Sequence, residues 1–292
     1  MTPAMTRIDD VLSEGLSLNA DGLGRLTLAA ALQGFPETAH GGGVLAALDL
    51  AAARWINPAT TPRTISVRIQ KTVPLATPLP LMAQGSPTGA TLTLGDEGSP
   101  MAVALVKVTA PEPAPSWVGW GAPPEKGLNF PTARGCLACG SENPMGLRVQ
   151  LRFDDRWVWS ECRPPEVYRT SDGRIAPALH TVLLDEMAWW LGALASGEAG
   201  VTTDLAVTLY RPAQPWGEAL LAIGPRDRVA VAGERGHFWK TESVVLASDG
   251  RLLASGVITF AGSRAYSRRL IPKLLTTNPP ERLRPIFPRY VP

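Results

Sequence analysis

Cysteine and histidine are scarce in this chain of 292 residues, which contains three of each. The small and odd number of thiols, Cys136, Cys139 and Cys162, predicts a reducing compartment and excludes a disulfide framework. Cys136 and Cys139 have the spacing of half a zinc site, but a structural zinc site needs four ligands, usually from a second close pair. We therefore expect no metal.

The chain also has little net charge and no long hydrophobic run. A formal charge of +2 argues against a nucleic-acid partner for the whole chain. No apolar run approaches the roughly 20 residues that span a bilayer, so no membrane association is expected. Asp9 and Asp10 stand where a signal peptide would need a basic flank. These features predict a cytoplasmic protein with material for one large or two ordinary domains.

The residues from His40 to Asp49 combine three glycines with a run of apolar helix formers. This pattern predicts a buried helix that ends near Trp55, because Asn57 and Pro58 follow. A glycine-rich first turn leaves free N–H groups at the positive end of the helix dipole. Such an end suits a developing negative charge on a carbonyl oxygen, although a simple buried helix would have the same pattern.

Several alternating, strand-like runs follow this helix and close a first α+β unit near residue 110. Residues 111–134 are rich in proline, glycine and tryptophan and are interpreted as a linker. Residues 135–262 repeat the pattern of strands around one helix, which is predicted to run from about Pro177 to Leu194. Residues 263–292 form a basic, proline-containing tail, interpreted either as a solvated or surface-wrapping extension or as a docking surface for a phosphorylated carrier.

The two halves can be superimposed on one another by sequence. Asp49 and Asp185 stand at matching places in the two helices, and Thr64 and Thr202 each stand ten residues before a proline. An internal duplication predicts two similar α+β units that pack as a pseudosymmetric pair.

These residues resemble those of double-hotdog acyl-CoA thioesterases. The resemblance covers roughly residues 25–110 and 135–262, and it implies an α+β tandem hotdog fold in which an antiparallel sheet wraps a long helix in each half. It rests on four short stretches: His40-Gly41-Gly42 before Asp49, Cys136-Leu-Ala-Cys139-Gly140 with Asn143-Pro144 and Gly146-Leu147, Leu184-Asp185-Glu186, and Tyr210-Arg211-Pro212.

The resemblance also implies roles for individual residues. The N–H of Gly41 would bind the thioester carbonyl oxygen, Asp49 and Asp185 would each be the nucleophile or general base, and Thr64 and Thr202 would support them. Gly41 and Asp49 are about 12 Å apart along one helix, so one carbonyl group cannot contact both. The donor of one half must therefore act with the acid of the other half.

One of the two composite sites is predicted to be degenerate. Pro177 stands where the second half should have its N–H donor, and proline has none. That site would contain Asp49, Thr64 and Pro177. Catalysis is expected at the other site, which is predicted to contain these residues: Gly41, Gln33, Asp185, Glu186 and Thr202.

The substrate expected at this site is an acyl-CoA or acyl-carrier thioester, with coenzyme A as part of the substrate and no further cofactor. His40, Gly42, Trp189 and His180 are the predicted substrate-binding residues. The paired tryptophans next to Asp185 favour a short, branched or aromatic acyl group over a long one. A homodimer of the double-hotdog unit is a further possibility that the sequence leaves open.

Two alternative functions remain at this point. The segment from Tyr168 through Asp172 to His180 partly resembles the loop of hotdog hydratases and dehydratases, in which an Asp and a His share one water, although the spacing here is longer. The apparent loss of one site is also compatible with a non-catalytic protein that only binds acyl-CoA.

Overall fold

The structure is a computed structural model that describes residues 6–108, 110, 115, 126–211, 214–233 and 236–291. Five α-helices lie in this part of the chain. Their bounds are α1 Ile8–Glu14, α2 Gly41–Ala52, α3 Ala178–Ser196, α4 Arg264–Leu275 and α5 Pro280–Leu283. No helix among the described residues is both long enough and apolar enough to cross a membrane.

The helices α2 and α3 lie in the core of the two halves. Nine of the 12 residues of α2 and 16 of the 19 residues of α3 are buried, which explains why neither sequence shows a polar face. The two helices cross where Gly42 meets Thr181. A Cβ at Gly42 would lie 2.3 Å from the Thr181 carbonyl oxygen, so only glycine permits this approach. At the other end of α3, Gly197 has a φ of 68° and ends the helix.

Antiparallel strands surround both helices. The first half contributes β1 Leu16–Leu18, β2 Leu23–Leu26, β3 Arg63–Ile69, β4 Leu79–Ser86, β5 Gly89–Asp96 and β6 Ser99–Val108. The second half contributes β7 Leu128–Asn129, β8 Arg152–Phe153, β9 Trp157–Cys162, β10 Gly200–Leu209, β11 Leu220–Pro225, β12 Ala230–Ala232, β13 Phe238–Ala247 and β14 Leu252–Gly262.

One continuous sheet contains the strands of both halves, in the order β1-β2-β4-β5-β6-β3-β10-β14-β13-β11-β9-β8-β7, with β12 paired to β13. The halves meet where β3 pairs with β10, from Arg63 opposite Leu209 to Arg68 opposite Asp204. Each of these strands is the first long strand after the buried helix of its own half. The seam therefore brings the two helices and their following strands together, as the predicted pseudosymmetric pairing requires.

Two segments differ from the strand pattern expected from the sequence. Residues 147–153 alternate like a strand, but only Arg152 and Phe153 pair as one. Their neighbours bond instead to the loop that follows Cys136, for example Leu147 N–H to the Leu137 carbonyl at 2.8 Å. Conversely, β4 forms in a proline-rich segment. Pro80 is the second residue of this strand, and a proline near the start of a strand is tolerated although it has no N–H to donate to the sheet.

The basic tail is folded rather than solvated. It forms α4 and α5, and the apolar residues of this segment are buried against the rest of the molecule: Leu270, Ile271, Leu274, Leu283, Ile286 and Phe287. Asn278 fixes the segment after α4, because its side chain accepts the Thr132 N–H at 2.9 Å and donates to the Thr132 carbonyl at 2.8 Å. The tail thus packs against the segment that leads into the second half.

Most of the segment interpreted as a linker, including Trp117 and Trp120, lies outside the described residues. Its last part is packed. The ring of Phe130 is buried, with its centroid 4.5 Å from that of Phe153 and 4.6 Å from that of Trp190. The buried apolar residues of both halves and of the tail form one large cluster, so the core is shared by the whole chain.

Candidate active site

A cavity of about 360 Å³ lies between the start of α2, the middle of α3 and the start of β10. Gly41 and His40 line it from the first half, and Asp185, Glu186 and Thr202 line it from the second half. The tail adds Tyr266 and Leu274. The structure therefore brings together four of the five residues that the sequence places at the predicted catalytic site.

The Asp185 carboxylate is the central polar group of this cavity. It is 4% exposed, and its Oδ2 accepts the backbone N–H of Gly42 at 2.7 Å. The same oxygen lies 3.0 Å from Nδ1 of His40. Oδ1 is buried and has no hydrogen-bond partner among the described residues. One oxygen is thus held by the helix terminus of the other half, while the second is free to bind a water or a substrate.

Gly41 lies directly against this acid and against Thr202. A Cβ at Gly41 would lie 2.7 Å from the Thr202 hydroxyl oxygen and 2.8 Å from Asp185 Oδ2. The N–H of Gly41 has no acceptor within the described part of the chain, whereas that of Gly42 is used by Asp185. Glycine is therefore required at position 41, and its N–H is available to a ligand.

A β-bulge sets the position of Thr202. The pairing of β10 with β14 shifts between Thr202 and Asp204, so Thr203 is the additional residue of the bulge. Bulges redirect neighbouring side chains. Both Thr202 and Thr203 line the cavity as a result.

His40 bridges the two adjacent carboxylates of α3. Its Nδ1 faces Asp185, and its Nε2 lies 3.5 Å from Oε2 of Glu186. Burial alone would lower the pKa of His40, but the charge and hydrogen bond of Asp185 outweigh it and hold this pKa well above its usual value. Nδ1 of a protonated ring donates to Asp185 and cannot accept from Gly42, whose nitrogen is 3.2 Å away.

Cys136 lines the cavity, although its sequence pattern assigned it no role at this site. Its Sγ lies 3.9 Å from Glu186 Oε2 and accepts the Ala138 N–H at 3.3 Å. A hydrogen bond from Cys139 outweighs the effect of burial and lowers the pKa of Cys136 to about 7, while the pKa of Cys139 is raised well above its usual value. The CxxC spacing was visible in the sequence, but its proximity to His40 and Glu186 was not.

Aromatic side chains form the apolar wall of the cavity. Trp189 donates its Nε1–H to the Gly200 carbonyl at 2.9 Å, and the Phe35 ring centroid lies 5.2 Å from its own. Trp190 donates to Glu186 Oε1 at 3.0 Å. The Tyr266 ring from the tail lies edge-on to Phe35, with the ring centroids 5.7 Å apart. The sequence placed Trp189 here, whereas Phe35 and Tyr266 were missed because nothing in their local pattern indicates a pocket.

The residues of the predicted second site form other interactions instead of lining the cavity. Asp49 forms a bidentate ion pair with the buried Arg63, at 2.7 and 3.1 Å. The hydroxyls of Thr64 and Thr208 are 2.9 Å apart across the seam between β3 and β10. Pro177 is the N-cap of α3 and carries no N–H. None of these residues lines the cavity.

Three residues predicted for the catalytic or substrate-binding site lie outside the cavity lining: Gln33, Gly42 and His180. Gly42 packs against Thr181 at the helix crossing and donates its N–H to Asp185 instead of to a substrate. The Gln33 backbone carbonyl accepts the Leu137 N–H, and its side chain faces Gly135 rather than the cavity. His180 is buried and also absent from the cavity lining. Burial, followed by the charge of Arg63, lowers its pKa to about 4, so it is neutral. Because α3 is apolar on every side, its pattern does not show which face of the helix lines the cavity.

The segment that resembled a hydratase loop does not form a shared site with His180. Asp172 is exposed, accepts a hydrogen bond from Thr170 and pairs with Arg174 at 3.2 Å. A hydrogen bond from Thr170 lowers the pKa of Asp172. Neither Asp172 nor His180 lines the cavity.

No model of a known protein family matches this sequence, and no curated protein matches it. Solved structures do match its fold. A conserved protein from Alicyclobacillus acidocaldarius, described as having a hot dog fold, superimposes with a TM-score of 0.60 at 17% identity, covering 88% of this chain and 97% of that one. The chain has the hotdog fold, present twice. The predicted α+β tandem arrangement is therefore confirmed.

Thioesterases and dehydratases both occur among the structures similar to this double-hotdog chain. An acyl-CoA thioesterase II from Mycobacterium marinum has a TM-score of 0.58 at 16% identity, covering 88% of this chain and 98% of that one. The dehydratase domain of PpsC from Mycobacterium tuberculosis, in complex with C12:1-CoA, has a TM-score of 0.55 at 16% identity, covering 85% and 97%. Thioesterases are the more numerous of the two.

Proposed function

We propose that this protein hydrolyses an acyl thioester, carried by coenzyme A or by a carrier protein, at the composite site of Gly41, Asp185 and Thr202. The observation that carries the proposal is the state of the Asp185 carboxylate. Gly42 and His40 hold Oδ2, while Oδ1 is buried without a partner among the described residues. Oδ1 and the Thr202 hydroxyl both lie against Gly41. A buried, oriented carboxylate with one free oxygen is suited to act as a general base.

The reaction begins with the thioester carbonyl oxygen against the N–H of Gly41. Asp185 Oδ1 removes a proton from a water as the water oxygen attacks the carbonyl carbon, and Thr202 orients that water. The negative charge that develops on the carbonyl oxygen lies at the N-terminus of α2, where the Gly41 N–H and the helix dipole stabilise it. Collapse breaks the carbon–sulfur bond, the thiolate leaves and takes the proton from Asp185, and the products are a carboxylic acid and a thiol.

The second predicted site supports the choice of this one. The Asp49 carboxylate is occupied by Arg63, and Pro177 supplies no N–H for an oxyanion. Loss of one oxyanion-hole donor costs about 2.7–4 kcal/mol of transition-state stabilisation in well-studied enzymes. We therefore assign the activity to one site per chain.

The aromatic wall of the cavity also supports the proposal that the acyl group of the substrate is of limited length. Trp189, Trp190 and Phe35 close its apolar side, and Phe287 of the tail lies behind Trp190, with ring centroids 6.5 Å apart. A short, branched or aromatic acyl chain fits against such a wall better than a long linear one.

Thiol release from a panel of acyl-CoA thioesters tests the proposal, with wild type, Asp185→Asn and the matched pair Thr202→Val and Thr64→Val. We expect Asp185→Asn to lower kcat by 10²- to 10⁴-fold, which is the range for loss of a general base. Thr202→Val should also lower kcat, whereas Thr64→Val should retain it, because the Thr64 hydroxyl bonds to that of Thr208 at the seam and Thr64 does not line the cavity. Circular dichroism and the melting temperature show that each variant is folded.

The alternative functions give different results in the same experiment. If no thioester is hydrolysed but wild type adds water to, or removes it from, an acyl-CoA, the hydratase alternative is correct, and the pair of His40 and Asp185 becomes its acid and base. If acyl-CoA binds equally well to wild type and Asp185→Asn without turnover, the protein is a binding protein. Equal loss in Thr202→Val and Thr64→Val would contradict the assignment to one site.

A further inference from the structure

Three side chains with metal-binding donor atoms meet in the wall of the cavity. His40, Cys136 and Glu186 are all buried, and one donor atom of each lies within 4.8 Å of the other two. Nε2 of His40 is 3.5 Å from Oε2 of Glu186, and Sγ of Cys136 is 3.9 Å from the same oxygen. The donors come from three distant parts of the sequence, so the CxxC spacing alone does not indicate the set.

These separations match the edges of a tetrahedral zinc site. Zinc lies about 2.0–2.1 Å from an imidazole nitrogen, about 2.3 Å from a thiolate sulfur and about 2.0–2.2 Å from a carboxylate oxygen. Across a tetrahedral angle these bond lengths place nitrogen and oxygen about 3.4 Å apart and sulfur and oxygen about 3.6 Å apart. The observed 3.5 and 3.9 Å are close to these two edges, and the third separation, between His40 Nε2 and Cys136 Sγ, is at most 4.8 Å. Metal binding therefore requires an inward movement of Cys136.

The groups behind these donors also have the arrangement that supports a metal. The other ring nitrogen of His40 faces the Asp185 carboxylate at 3.0 Å, which keeps a proton on Nδ1, so that Nε2 is the nitrogen that can exchange its proton for a metal ion. The other oxygen of Glu186 accepts the Trp190 Nε1–H at 3.0 Å. The Ala138 N–H points at Sγ of Cys136 and stabilises a thiolate. Each donor atom is thus oriented by a partner on its far side.

We propose that His40 Nε2, Cys136 Sγ and Glu186 Oε2 bind one Zn²⁺ ion per chain, with the fourth coordination position open to the cavity. A set of imidazole, thiolate and carboxylate suits zinc and disfavours Mg²⁺ and Ca²⁺, which prefer oxygen ligands alone. Three protein ligands with one open position are typical of zinc sites that bind a water or a substrate. The proposal departs from the expectation of no metal, and it does not depend on thioester hydrolysis.

Co²⁺ is the probe of choice, because a tetrahedral Co²⁺–thiolate site absorbs visible and near-ultraviolet light. The full chain is reduced, stripped of metal with a chelator and titrated with Co²⁺, and Zn²⁺ is then added to displace it. We expect one Co²⁺ per chain, a tetrahedral visible spectrum, a charge-transfer band from one thiolate, and displacement by one equivalent of Zn²⁺.

Variants separate this site from adventitious binding at thiols. Cys136→Ser should remove the charge-transfer band and weaken Zn²⁺ binding at least 100-fold, and Glu186→Gln should weaken it while keeping the band. Cys139→Ser is the matched control, because Cys139 belongs to the same CxxC stretch and cavity but not to the three-ligand cluster. The serine hydroxyl can replace the thiol that hydrogen-bonds to Cys136, so this variant should bind Zn²⁺ nearly as tightly as wild type does. Asp185→Asn, which removes the partner of His40, should weaken binding about 10- to 100-fold with the band retained.

Other results would overturn the proposal. Absence of stoichiometric binding to folded wild-type protein excludes the site. Equal loss in Cys139→Ser and Cys136→Ser would show a different ligand set that uses both thiols. If Cys136→Ser fails to fold, the comparison of Glu186→Gln with Cys139→Ser decides, and unchanged affinity in Glu186→Gln refutes the assignment. Because no thioester is present, failure here leaves the proposed hydrolase untouched, and the converse also holds.

Discussion

At the scale of single residues, Gly41 is the glycine that lies against the proposed catalytic side chains. A methyl group there would lie 2.7 Å from the Thr202 hydroxyl and 2.8 Å from the Asp185 carboxylate. We expect Gly41→Ala to lower kcat/KM for the best thioester at least 10-fold, because the methyl group displaces both side chains from the N–H that binds the substrate. Global stability should change little, since alanine favours a helix by about 1 kcal/mol over glycine.

Gly43→Ala is the control for this prediction. It adds a methyl group two residues along the same helix, where the nearest neighbour is a Leu137 methyl at 3.2 Å. Activity measured with matched melting temperatures should fall in Gly41→Ala and be largely retained in Gly43→Ala. Retained activity in Gly41→Ala would refute the role assigned to this glycine.

The lowered pKa of His180 predicts that the stability of the protein depends on pH. Burial, then the charge of Arg63, lowers its pKa in the folded state to about 4, against 6.5 for the unfolded chain. Between these two values the unfolded chain binds a proton that the folded chain does not, so stability rises with pH across this window. Between pH 7 and pH 4 the free energy of unfolding therefore falls by about 3 kcal/mol because of His180.

Replacement of His180 removes this dependence. Urea unfolding at several pH values between 4 and 7 should show that His180→Leu loses less stability than wild type as the pH falls. Parallel slopes for wild type and His180→Leu would contradict the assignment of a depressed pKa to this histidine.

The sequence predicted which residues are chemically suited to the site better than it predicted which side chains contact one another. Gly41, Asp185 and Thr202 could be placed together because a helix is too long for Gly41 and Asp49 to share one carbonyl. Gln33 was placed at the site by its nearness to His40 in the sequence, but its side chain faces Gly135 instead. Contacts between side chains from distant segments, such as Cys136 and Glu186, have no signal in one sequence.

At the scale of elements, α4 carries exposed positive charges on the same side of the helix as a residue that lines the cavity. Tyr266 lines the cavity, and Arg269 and Lys273 stand three and seven residues further along the same side of the helix, both exposed. The phosphates of coenzyme A, or of a carrier's prosthetic group, carry the opposite charge. The arrangement supports the interpretation of the tail as a docking surface for a phosphorylated carrier.

Removal of these charges should weaken substrate binding rather than chemistry. We expect the double variant Arg269→Gln/Lys273→Gln to raise KM for acyl-CoA about 3- to 10-fold at low salt, with kcat unchanged, since exposed charge pairs contribute up to about 1 kcal/mol. The effect should shrink at high ionic strength. Arg268→Gln, on the opposite side of α4, is the control, and an equal rise in KM there would refute the prediction.

The secondary structure of the two halves was largely predictable, and that of the tail was not. The strands alternate with period two, and α2 and α3 are long apolar runs with clear ends, so their local sequences determine them. In residues 263–292 the basic and proline content suggested solvation, although Leu270, Ile271 and Leu274 lie on one side of α4 and are buried. The many basic residues and prolines of this segment made the short amphipathic pattern of α4 hard to recognise.

At the scale of the whole molecule, the duplication could be predicted because the same pattern of one helix and several strands occurs in both halves of the sequence. The divergence of the two sites could be predicted only in part. Pro177 indicated that one site lacks a donor. The ion pair of Asp49 with Arg63 could not be foreseen, because 14 positions separate them and nothing in the strand pattern marks Arg63 as buried. The same pseudosymmetric frame therefore carries a cavity on one side and a buried ion pair on the other.

The two halves should nevertheless unfold together. β3 and β10 pair over six residues at the seam, the Thr181 hydroxyl donates to the Gly42 carbonyl at 2.8 Å, and the Asn143 side chain donates to the Ala31 carbonyl at 2.8 Å. The large buried cluster contains residues of both halves, while a small second cluster of Trp159, Ile223 and Val244 lies in the second half. Neither half can open without exposing apolar surface of the other, so we expect one calorimetric transition with equal van't Hoff and calorimetric enthalpies.

Thr181→Val tests whether this coupling is shared across the seam. The variant removes the hydroxyl that joins α3 to α2, and its net cost should be about 1 kcal/mol, or more if the Gly42 carbonyl is left unpaired. In a cooperative molecule the single transition moves to lower temperature without splitting, because both helices belong to the same unfolding unit. Two resolved transitions, in wild type or in the variant, would show that the halves are independent and that the composite site forms only when separately stable domains dock.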